Sequence, residues 1–246
     1  MFTMILTSKN NPLIKETVSL KDKKARKELG LFLVEGEKMT AECKKSGLLV
    51  EKVFVSESYK GKTSGDEIVV SDDLFKYLSD EKTPQGILCR VKTPTYEPNS
   101  PQAPVLVLDG VADPANVGAI IRTANAAGYK EIYLIGCADP FSPKSVRASM
   151  SGVFFTKLYN VTREQVLDVL AETPIICADM DGENIFSFHA PERFALVIGN
   201  EGNGISEELF SAATHKISIP MDQTQESLNA AVSAGIAMYL LKKDKF

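Results

Sequence analysis

Of six short strand candidates in the second half of the chain, most are apolar at nearly every position instead of alternating between apolar and polar residues. Strands of this kind are buried on both faces, which happens in a parallel sheet that helices cover on each side. Stretches with helical character lie between and after these segments. The predicted strands are residues 105–108, 131–135, 156–159, 175–178, 194–198 and 216–219, and the predicted helices are residues 116–127, 144–151, 163–171, 206–213 and 227–240. We therefore predict an α/β fold built on a parallel sheet.

The first part of the chain predicts a second, smaller α/β domain. Its predicted strands are residues 31–34, 51–55, 67–70 and 86–91, and its predicted helices are residues 11–20, 22–29, 37–46 and 72–78. Between the two parts, the segment from Thr93 to Pro104 holds four prolines, a density that neither a helix nor a central strand tolerates. We interpret residues 93–103 as a linker between a domain at residues 1–92 and a domain at residues 104–246.

Composition excludes several classes of protein. A chain of 246 residues with 44% hydrophobic residues can bury a core, so disorder of the whole chain is excluded. We find neither a run of about 20 apolar residues nor a secretory signal, so we expect no membrane association and predict a cytoplasmic protein. Four cysteines, Cys43, Cys89, Cys137 and Cys177, lie far apart without a C-x-x-C pair. We therefore predict no metal site and no redox chemistry.

The charge is distributed unevenly along the chain. The net charge of −4 argues mildly against a nucleic-acid partner. Residues 1–30, however, carry seven basic and three acidic side chains, a local net charge of +4 on an otherwise acidic protein. Such asymmetry is typical of a nucleic-acid contact, although from charge alone a solvated helix surface is the simpler interpretation. The candidate contacts are Lys9, Lys23, Lys24, Arg26 and Lys27, with Arg147 further along the chain.

The first of three unusual strand ends is LDGVADPANVGAIIRTANAAG, residues 108–128. In a parallel sheet, ligands bind at the carboxyl ends of the strands. Asn116 follows the strand, and we predict that it caps the next helix. Arg122 is a charged residue among small and apolar neighbours on that helix. A fixed cation at this place suits phosphate binding, whereas a surface arginine on a buried helix is the alternative interpretation.

The second strand end is FALVIGNEGNGIS, residues 194–206, in which Gly199, Gly202 and Gly204 follow the strand. Glycines in such a turn allow the backbone to approach a ligand closely. Their G-x-x-G-x-G spacing differs from the dinucleotide fingerprint and from the phosphate-binding P-loop, which makes a nucleotide-dependent dehydrogenase a distant alternative. A glycine-rich turn without a ligand is the other alternative. Asn200 and Glu201 within the turn favour a ligand site.

The third strand end is ISIPMDQTQESLNAAVSAGIAMYLL, residues 217–241. Its strand ends at Pro220, and a loop leads to Ser227, Leu228 and Asn229. Glu226 and Ser227 are placed to cap the last helix. That helix is rich in alanine and includes Gly235, so we expect it to pack closely against another surface.

Together the three segments resemble the sequence motifs of the SpoU/TrmH family of RNA ribose methyltransferases, in the SPOUT class. The order is the family's: N-x-x-x-x-x-R, then GNEGNGIS, then IPM followed by ESLN. The string ADPFSPKSVRASMSG, residues 138–152, is similar to a further family segment. The strings SKNNPLIKE, FLVEGEK and TPQGIL resemble the small substrate-binding domain of members that modify ribosomal RNA, which itself resembles a ribosomal-protein RNA-binding fold.

The resemblance implies a fold and a cofactor. The second domain would be a parallel-sheet SPOUT domain whose C-terminal part is threaded into a deep trefoil knot. S-adenosyl-L-methionine would bind in the knot, and the enzyme would be a homodimer with its active site near the subunit interface. The cofactor contacts implied by position are Gly199, Asn200, Gly202, Ile219, Met221 and Leu228. At two positions the chain departs from the usual pattern: Ala115 stands before Asn116, and Gln223 follows the IPM string.

The implied reaction transfers a methyl group to a ribose 2′-hydroxyl of RNA, with 23S ribosomal RNA as the expected substrate. Arg122 would hold an RNA phosphate and stabilise a developing alkoxide, because an arginine stays protonated and cannot act as a base. Asn116 and Asn229 would position the ribose, Glu201 would accept a proton or a hydrogen bond, and Ser227 would assist. Methylation of tRNA and a non-catalytic role in RNA binding or ribosome assembly stay open as alternatives. We expect the two histidines, His189 and His215, to be structural.

Overall fold

A computed structural model describes residues 5–200, 202–222, 224 and 227–242 of the chain. These residues form two sheets, one of four strands and one of six strands, with helices packed on both. Within these residues, no helix is both long enough and apolar enough to cross a membrane.

The N-terminal sheet has the strand order β1-β4-β2-β3. Strand β4 pairs antiparallel with β1 and with β2, whereas β2 and β3 pair parallel. The strands are β1 (Leu31–Glu35), β2 (Val50–Ser56), β3 (Ile68–Val70) and β4 (Ile87–Lys92), and the helices are α1 (Pro12–Ser19), α2 (Lys23–Leu29), α3 (Glu37–Lys45) and α4 (Asp72–Leu78).

The C-terminal sheet has the order β10-β8-β9-β5-β6-β7, and all its pairs are parallel. Its strands are β5 (Val105–Asp109), β6 (Glu131–Ile135), β7 (Lys157–Asn160), β8 (Ile175–Asn184), β9 (Ala195–Ile198) and β10 (His215–Ser218). Its helices are α5 (Pro114–Ala126), α6 (Pro143–Ser149), α7 (Gly152–Phe155), α8 (Arg163–Val169), α9 (Glu207–Ser211) and α10 (Ala230–Leu240). This arrangement confirms the predicted parallel α/β fold, whereas the trefoil knot stays a prediction.

The central strands of the six-stranded sheet, β5, β6 and β9, are buried on both faces, as their apolar sequences predicted. In β5, Val105 and Val107 face one hydrophobic cluster, while Leu106 and Leu108 face another. All four side chains are buried. Successive strand residues point to opposite faces, so apolar residues at every position leave no face for water.

Two predicted helix caps are wrong. Helix α5 begins at Pro114 and is capped by Asp113, whose carboxylate accepts a hydrogen bond from the Ala115 N–H; Asn116 is already inside the helix. Proline is favoured at the first helical position, because its fixed φ suits the helix and its missing N–H is not needed there. Helix α10 begins at Ala230, and Asn229, not Ser227, caps it.

The segment between the domains contains neither a helix nor a strand from residue 93 to residue 104, yet it is held against the second sheet. The Tyr133 hydroxyl donates to the Asn99 carbonyl at 3.0 Å. The Tyr96 ring meets the edge of the Tyr159 ring, with 6.2 Å between their centroids. The division of the chain into domains at residues 92 and 104 stays a prediction.

The pairing of β8 with β10 contains a break in register. Lys216 of β10 is paired with Cys177, but the next residue, Ile217, is paired with Glu183. The register therefore passes over residues 178–182, which we call the β8 loop. This loop lies at the carboxyl end of the regular part of β8, at the edge where a parallel sheet binds ligands.

Helices α5 and α6 pack so closely that a glycine is required between them. A Cβ added at Gly118 would lie 2.4 Å from the Ser145 carbonyl oxygen and 2.6 Å from Ala148 Cβ. Such distances force a shift of α6, because the nearest atom belongs to its backbone. The contact fixes the position of α6 on the helix that carries Asn116 and Arg122.

We expect Gly118→Ala to lower the free energy of unfolding by about 1–3 kcal/mol, the usual cost of overpacking. The matched control is Gly235→Ala in α10, where the added Cβ would lie 3.5 Å from the Thr123 methyl, an ordinary contact. The control should be neutral or stabilising by up to about 1 kcal/mol, because alanine favours helix. Urea unfolding measures both changes, and equal effects of the two substitutions would contradict the close crossing.

Candidate functional site

A cavity of about 430 Å³ opens at the carboxyl ends of β8, β9 and β10. This volume is within the range of small-molecule sites. The three strands and the loops that follow them build the cavity, and the first half of α10 covers one side of it. The lining residues are Ala178, Asp179, Met180, Ile198, Gly199, Asn200, Gly204, Ile205, Ile217, Ile219, Met221, Ser227, Leu228, Ala230, Ser233 and Ala237.

Asn200 organises the glycine-rich turn after β9. Its backbone exchanges two hydrogen bonds with Gly204, at 2.9 and 3.0 Å. Its side-chain oxygen accepts from the N–H groups of Gly202 and Asn203, at 2.8 and 3.0 Å. Its side-chain nitrogen donates to the Gly110 carbonyl at 2.7 Å. One amide therefore closes the turn and joins it to the segment that follows β5.

Gly199 lies where the turn folds back on its strand. A Cβ added here would lie 2.4 Å from the Gly204 carbonyl carbon and 2.5 Å from the Ile205 nitrogen. Both atoms belong to the backbone, so a side chain at residue 199 would displace the turn. The absent side chain also leaves the backbone of residue 199 open to the cavity.

Asp109, at the end of β5, is buried beneath the same turn and is 2% exposed. One carboxylate oxygen accepts from the Arg163 guanidinium at 3.0 Å, and the other accepts from the Ser206 N–H at 2.8 Å. Arg163 begins α8, and Ser206 precedes α9. A buried carboxylate needs such partners, because water no longer solvates its charge. Asp109 thus holds three elements at one edge of the sheet, a role that sequence reasoning missed.

The two asparagines of the first and third motif segments meet in the structure. The Asn229 side-chain nitrogen donates to the Asn116 side-chain oxygen at 3.0 Å. The Asn229 side-chain oxygen accepts from the N–H groups of Ala231 and Val232, at the start of α10. Because the cap of α10 fixes one amide, it also fixes the place of the other.

Arg122 is exposed on α5. Its backbone packs against Gly152, where an added Cβ would lie 3.0 Å from Arg122 Cα. Met150 and Ser151, just before Gly152, have φ values of 44° and 77°. This left-handed conformation costs about 1–3 kcal/mol per non-glycine residue and is frequent near functional sites. Among the described residues, no carboxylate forms an ion pair with the Arg122 guanidinium, so its charge faces solvent.

The structure brings most of the predicted cofactor residues to the cavity. Gly199, Asn200, Ile219, Met221 and Leu228 line it, as does Ser227. Gly202 belongs to the same turn but is exposed and does not line the cavity. Glu201 and Gln223 lie outside the described residues, as does Glu226.

The β8 loop supplies cavity residues that sequence reasoning missed. Asp179 and Met180 line the cavity beside Ala178. The sequence did carry a signal for them, the string ADMDG at the end of an apolar strand. The glycine-rich turn and the IPM segment, already chosen as candidate binding segments, lie at the same edge of the sheet. Asp179 adds a carboxylate to a cavity that is otherwise mostly apolar.

Two of the predicted RNA contacts are engaged within the protein. Arg26 is 6% exposed, and its guanidinium donates to Asp139 and to two backbone carbonyls, so little of its side chain faces solvent. Arg147 forms ion pairs with Asp80 and Glu81. The side chains of the four predicted lysines are exposed: Lys9, Lys23, Lys24 and Lys27.

Burial controls the ionisation of the thiols near the site. Burial raises the pKa of Cys137 to about 11 and the pKa of Cys177 to about 12. Both thiols therefore stay protonated near neutral pH and are poor nucleophiles. Beside α5, a hydrogen bond from Lys144 lowers the pKa of Asp113, which keeps this capping carboxylate ionised.

Two family descriptions match the chain. The SpoU rRNA Methylase family matches residues 103–239. The MRM3-like substrate binding domain matches residues 11–89. The first match covers the six-stranded sheet and the cavity, and the second covers the four-stranded sheet.

Known proteins resemble the whole chain. The 23S rRNA (guanosine(2553)-2'-O)-methyltransferase RlmP of Bacillus subtilis is 31% identical over 245 residues, 96% of this chain and 98% of that protein. The AdoMet-bound rRNA methyltransferase of Sinorhizobium meliloti is 26% identical with a TM-score of 0.89, over 99% of this chain and 98% of that one. AviRb of Streptomyces viridochromogenes, in complex with AdoMet, is 25% identical with a TM-score of 0.85, over 96% of this chain and 98% of that one.

We expect Asp109→Ala to lower the free energy of unfolding by about 2 kcal/mol, because the Ser206 N–H loses its acceptor and Arg163 its partner. Arg163 is partly exposed, and water will solvate its charge, which keeps the loss below that of a fully buried pair. Asp168→Ala on the exposed side of α8 is the control and should change stability by less than about 0.5 kcal/mol. Equal denaturation midpoints for the two variants would show that Asp109 does not hold the turn.

Proposed function

The chain belongs to the SpoU rRNA methylase family, and on that premise we propose that it methylates a ribose 2′-hydroxyl of 23S ribosomal RNA with S-adenosyl-L-methionine. The observation that carries the proposal is the cavity at the ends of β8, β9 and β10. Five residues of the second and third motif segments, selected from the sequence as cofactor contacts, line this one cavity.

The cavity fits the cofactor in size and chemistry. Its walls are mostly apolar, and Gly199 gives access to a backbone that a side chain would block. Ile219 and Leu228 line the cavity from the segment between β10 and α10, and their apolar side chains would contact the adenosine group of the cofactor. The Asp179 carboxylate offers a partner for positive charge, and the cofactor is cationic at its sulfonium. When bound there, S-adenosylmethionine supplies an activated methyl group.

The residues of α5 and α10 are proposed to hold the ribose and its phosphates. Asn116 and Asn229 are joined by a hydrogen bond, so they present amide groups in a fixed arrangement. Orientation of the hydroxyl is the main requirement of an in-line transfer. Arg122 would bind a phosphate and stabilise negative charge that develops on the 2′-oxygen, because an arginine side chain in a protein carries a positive charge. Glu201 is the proposed proton acceptor, and Ser227 assists from the edge of the cavity.

Ribosomal RNA is favoured over tRNA because the chain carries the substrate-binding domain, and because RlmP, which matches it over nearly the whole length, bears the name of a 23S rRNA enzyme. Lys9, Lys23, Lys24 and Lys27 are the proposed phosphate contacts, since phosphate contacts provide most RNA affinity. The 2′-hydroxyl must be reachable, which favours a loop or bulge as the target. We place the protein in the cytoplasm, where such a substrate is found.

We further propose a homodimer formed through α10. Val232, Ile236 and Tyr239 share one face of this helix, at spacings of four and three residues, and Val232 is 51% exposed. The opposite face, with Ala234 and Ala237, is buried. An apolar face beside the cavity suits a second copy of the chain.

The test of the function is transfer of labelled methyl from S-adenosylmethionine to RNA by the purified protein. Fragments of 23S rRNA should accept label at one nucleotide, mapped as a 2′-O-methyl group, and tRNA should accept none. Labelling of tRNA alone would favour the tRNA alternative. Binding of both RNA and cofactor without transfer to any RNA would favour the non-catalytic alternative.

We expect Arg122→Ala to lower kcat/KM for RNA by about 10²–10³-fold, the usual loss when a charge that stabilises a developing oxyanion is removed. Affinity for S-adenosylmethionine should stay within about twofold, because Arg122 does not line the cavity. Arg122→Lys should recover part of the loss. Arg193→Ala removes an arginine that donates to the Glu172 carbonyl and should retain activity. Undiminished activity of Arg122→Ala would overturn the assignment.

We expect Val232→Asp to convert the dimer into a monomer, because a carboxylate in an apolar interface loses its hydration without gaining a partner. Light scattering after size-exclusion chromatography measures the mass. Leu49→Asp is the matched control, since Leu49 is an exposed apolar residue of the other domain. If the wild-type protein is a monomer at micromolar concentration, the dimer is wrong.

A further inference from the structure

Arg26 differs from the lysines around it in what its side chain contacts. Its Nε and Nη2 atoms both donate to one oxygen of Asp139, at 2.8 and 2.6 Å. Its Nη1 atom donates to the backbone carbonyls of Leu20 and Lys21, at 2.8 and 2.7 Å. The side chain is 6% exposed. Arg26 belongs to α2 of the N-terminal domain, whereas Asp139 follows β6 of the other domain.

Asp139 is itself held by hydrogen bonds near α5 and α6 of the C-terminal domain. Its second carboxylate oxygen accepts from the Phe141 N–H at 2.9 Å. Its backbone carbonyl lies 2.8 Å from the Ser145 hydroxyl of α6, which is also 2.9 Å from the Pro114 carbonyl of α5. A short series of polar contacts thus connects Arg26 with the first turn of α5, the helix that carries Asn116 and Arg122.

Three more contacts join the domains around this pair, one between aromatic rings and two between charged groups. The Phe32 ring of β1 meets the Phe141 ring, with 4.9 Å between their centroids. Arg147 of α6 forms ion pairs with Asp80 at 2.7 Å and with Glu81 at 3.1 Å. The Arg147 pairs are more than a third exposed and contribute little, whereas the Arg26 pair is largely buried. Among the described residues, the Arg26 pair is therefore the most buried ion pair between the domains.

We propose that the Arg26–Asp139 ion pair is a positioning contact that holds the basic helix α2 in a fixed place relative to α5. RNA bound to the α2 lysines then presents a single nucleotide to the active site. The ion pair joins the domains whether or not RNA is the substrate. Its role in positioning RNA rests on the proposed function. A buried pair suits such a task, because each charge is costly to separate from the other.

The test compares Arg26→Met, Asp139→Asn and the double variant in the full chain. Arg26→Met keeps an apolar stem of similar length, and Asp139→Asn keeps an acceptor for the Phe141 N–H. Spin labels on Lys45→Cys and Asp168→Cys, in a Cys137→Ser background, report the distance between the domains without RNA. Cys137 is replaced because it is half-buried, whereas the other native thiols, Cys43, Cys89 and Cys177, are buried and react slowly. Cofactor affinity and unfolding curves show whether each variant is folded.

We expect each single variant to broaden the distance distribution and to lower kcat/KM for RNA about tenfold or more, with cofactor affinity within twofold of the wild type. The double variant should be little worse than either single variant, because both remove the same contact. Arg26→Lys keeps the charge without the planar donor fork and should restore part of the effect.

Lys24→Ala is the matched control, because Lys24 lies on the same helix and its side chain is 87% exposed. It should weaken RNA binding and lower the salt dependence of binding by about one phosphate contact, without changing the distance between the domains. Unchanged distances in Arg26→Met, or effects identical to those of Lys24→Ala, would overturn the proposal. If the wild-type protein methylates no RNA, the proposed function fails, whereas the distances still decide the docking.

Discussion

The position of β9 between β5 and β8 is the constraint on which the functional half of the molecule depends. Parallel strands end at the same edge of a sheet, so this neighbourhood brings together loops that are about 90 residues apart in the sequence. Two hydrogen bonds then fix the loops: Asn200 donates to the Gly110 carbonyl, and the Ser206 N–H donates to Asp109. The cavity exists because this strand order keeps the ends of β8, β9 and β10 adjacent.

The sequence predicted this sheet well because the physical signal is strong. A strand that is apolar on both faces has few alternatives to a central place in a covered parallel sheet. The ends of the six predicted strands agree with the observed ends to within one or two residues, apart from the extension of β8. Helix starts were harder to predict. Asp113 and Asn116 are both good caps, as are Ser227 and Asn229, and local preference does not separate them; the proline at residue 114 decides the first case.

The site was predictable where a motif marks it, and only there. Gly199, Asn200, Ile219, Met221 and Leu228 were found because their strings have a recognisable order. The β8 loop carries the string ADMDG, which follows an apolar strand but matches none of the three motifs, and its place beside the cavity depends on a register break that no periodicity shows. The ion pair of Arg26 was not predictable for a related reason: its sequence neighbours are exposed lysines, whereas its partner, Asp139, is 113 residues away along the chain.

The register break in β8 also separates the length of the loop at residues 178–182 from the pairing of β8 with β10, two properties that usually change together. The strand is paired with β10 on both sides of residues 178–182, and Gly182 packs on the β10 backbone, where an added Cβ would lie 2.5 Å from Ile217. A change of length between residues 178 and 181 therefore need not disturb either paired segment. Loop length costs little free energy, since closure entropy grows slowly with the number of residues. Homologous enzymes can therefore diverge in this wall of the cavity, and in how tightly they retain a small molecule, without any compensating change in the sheet.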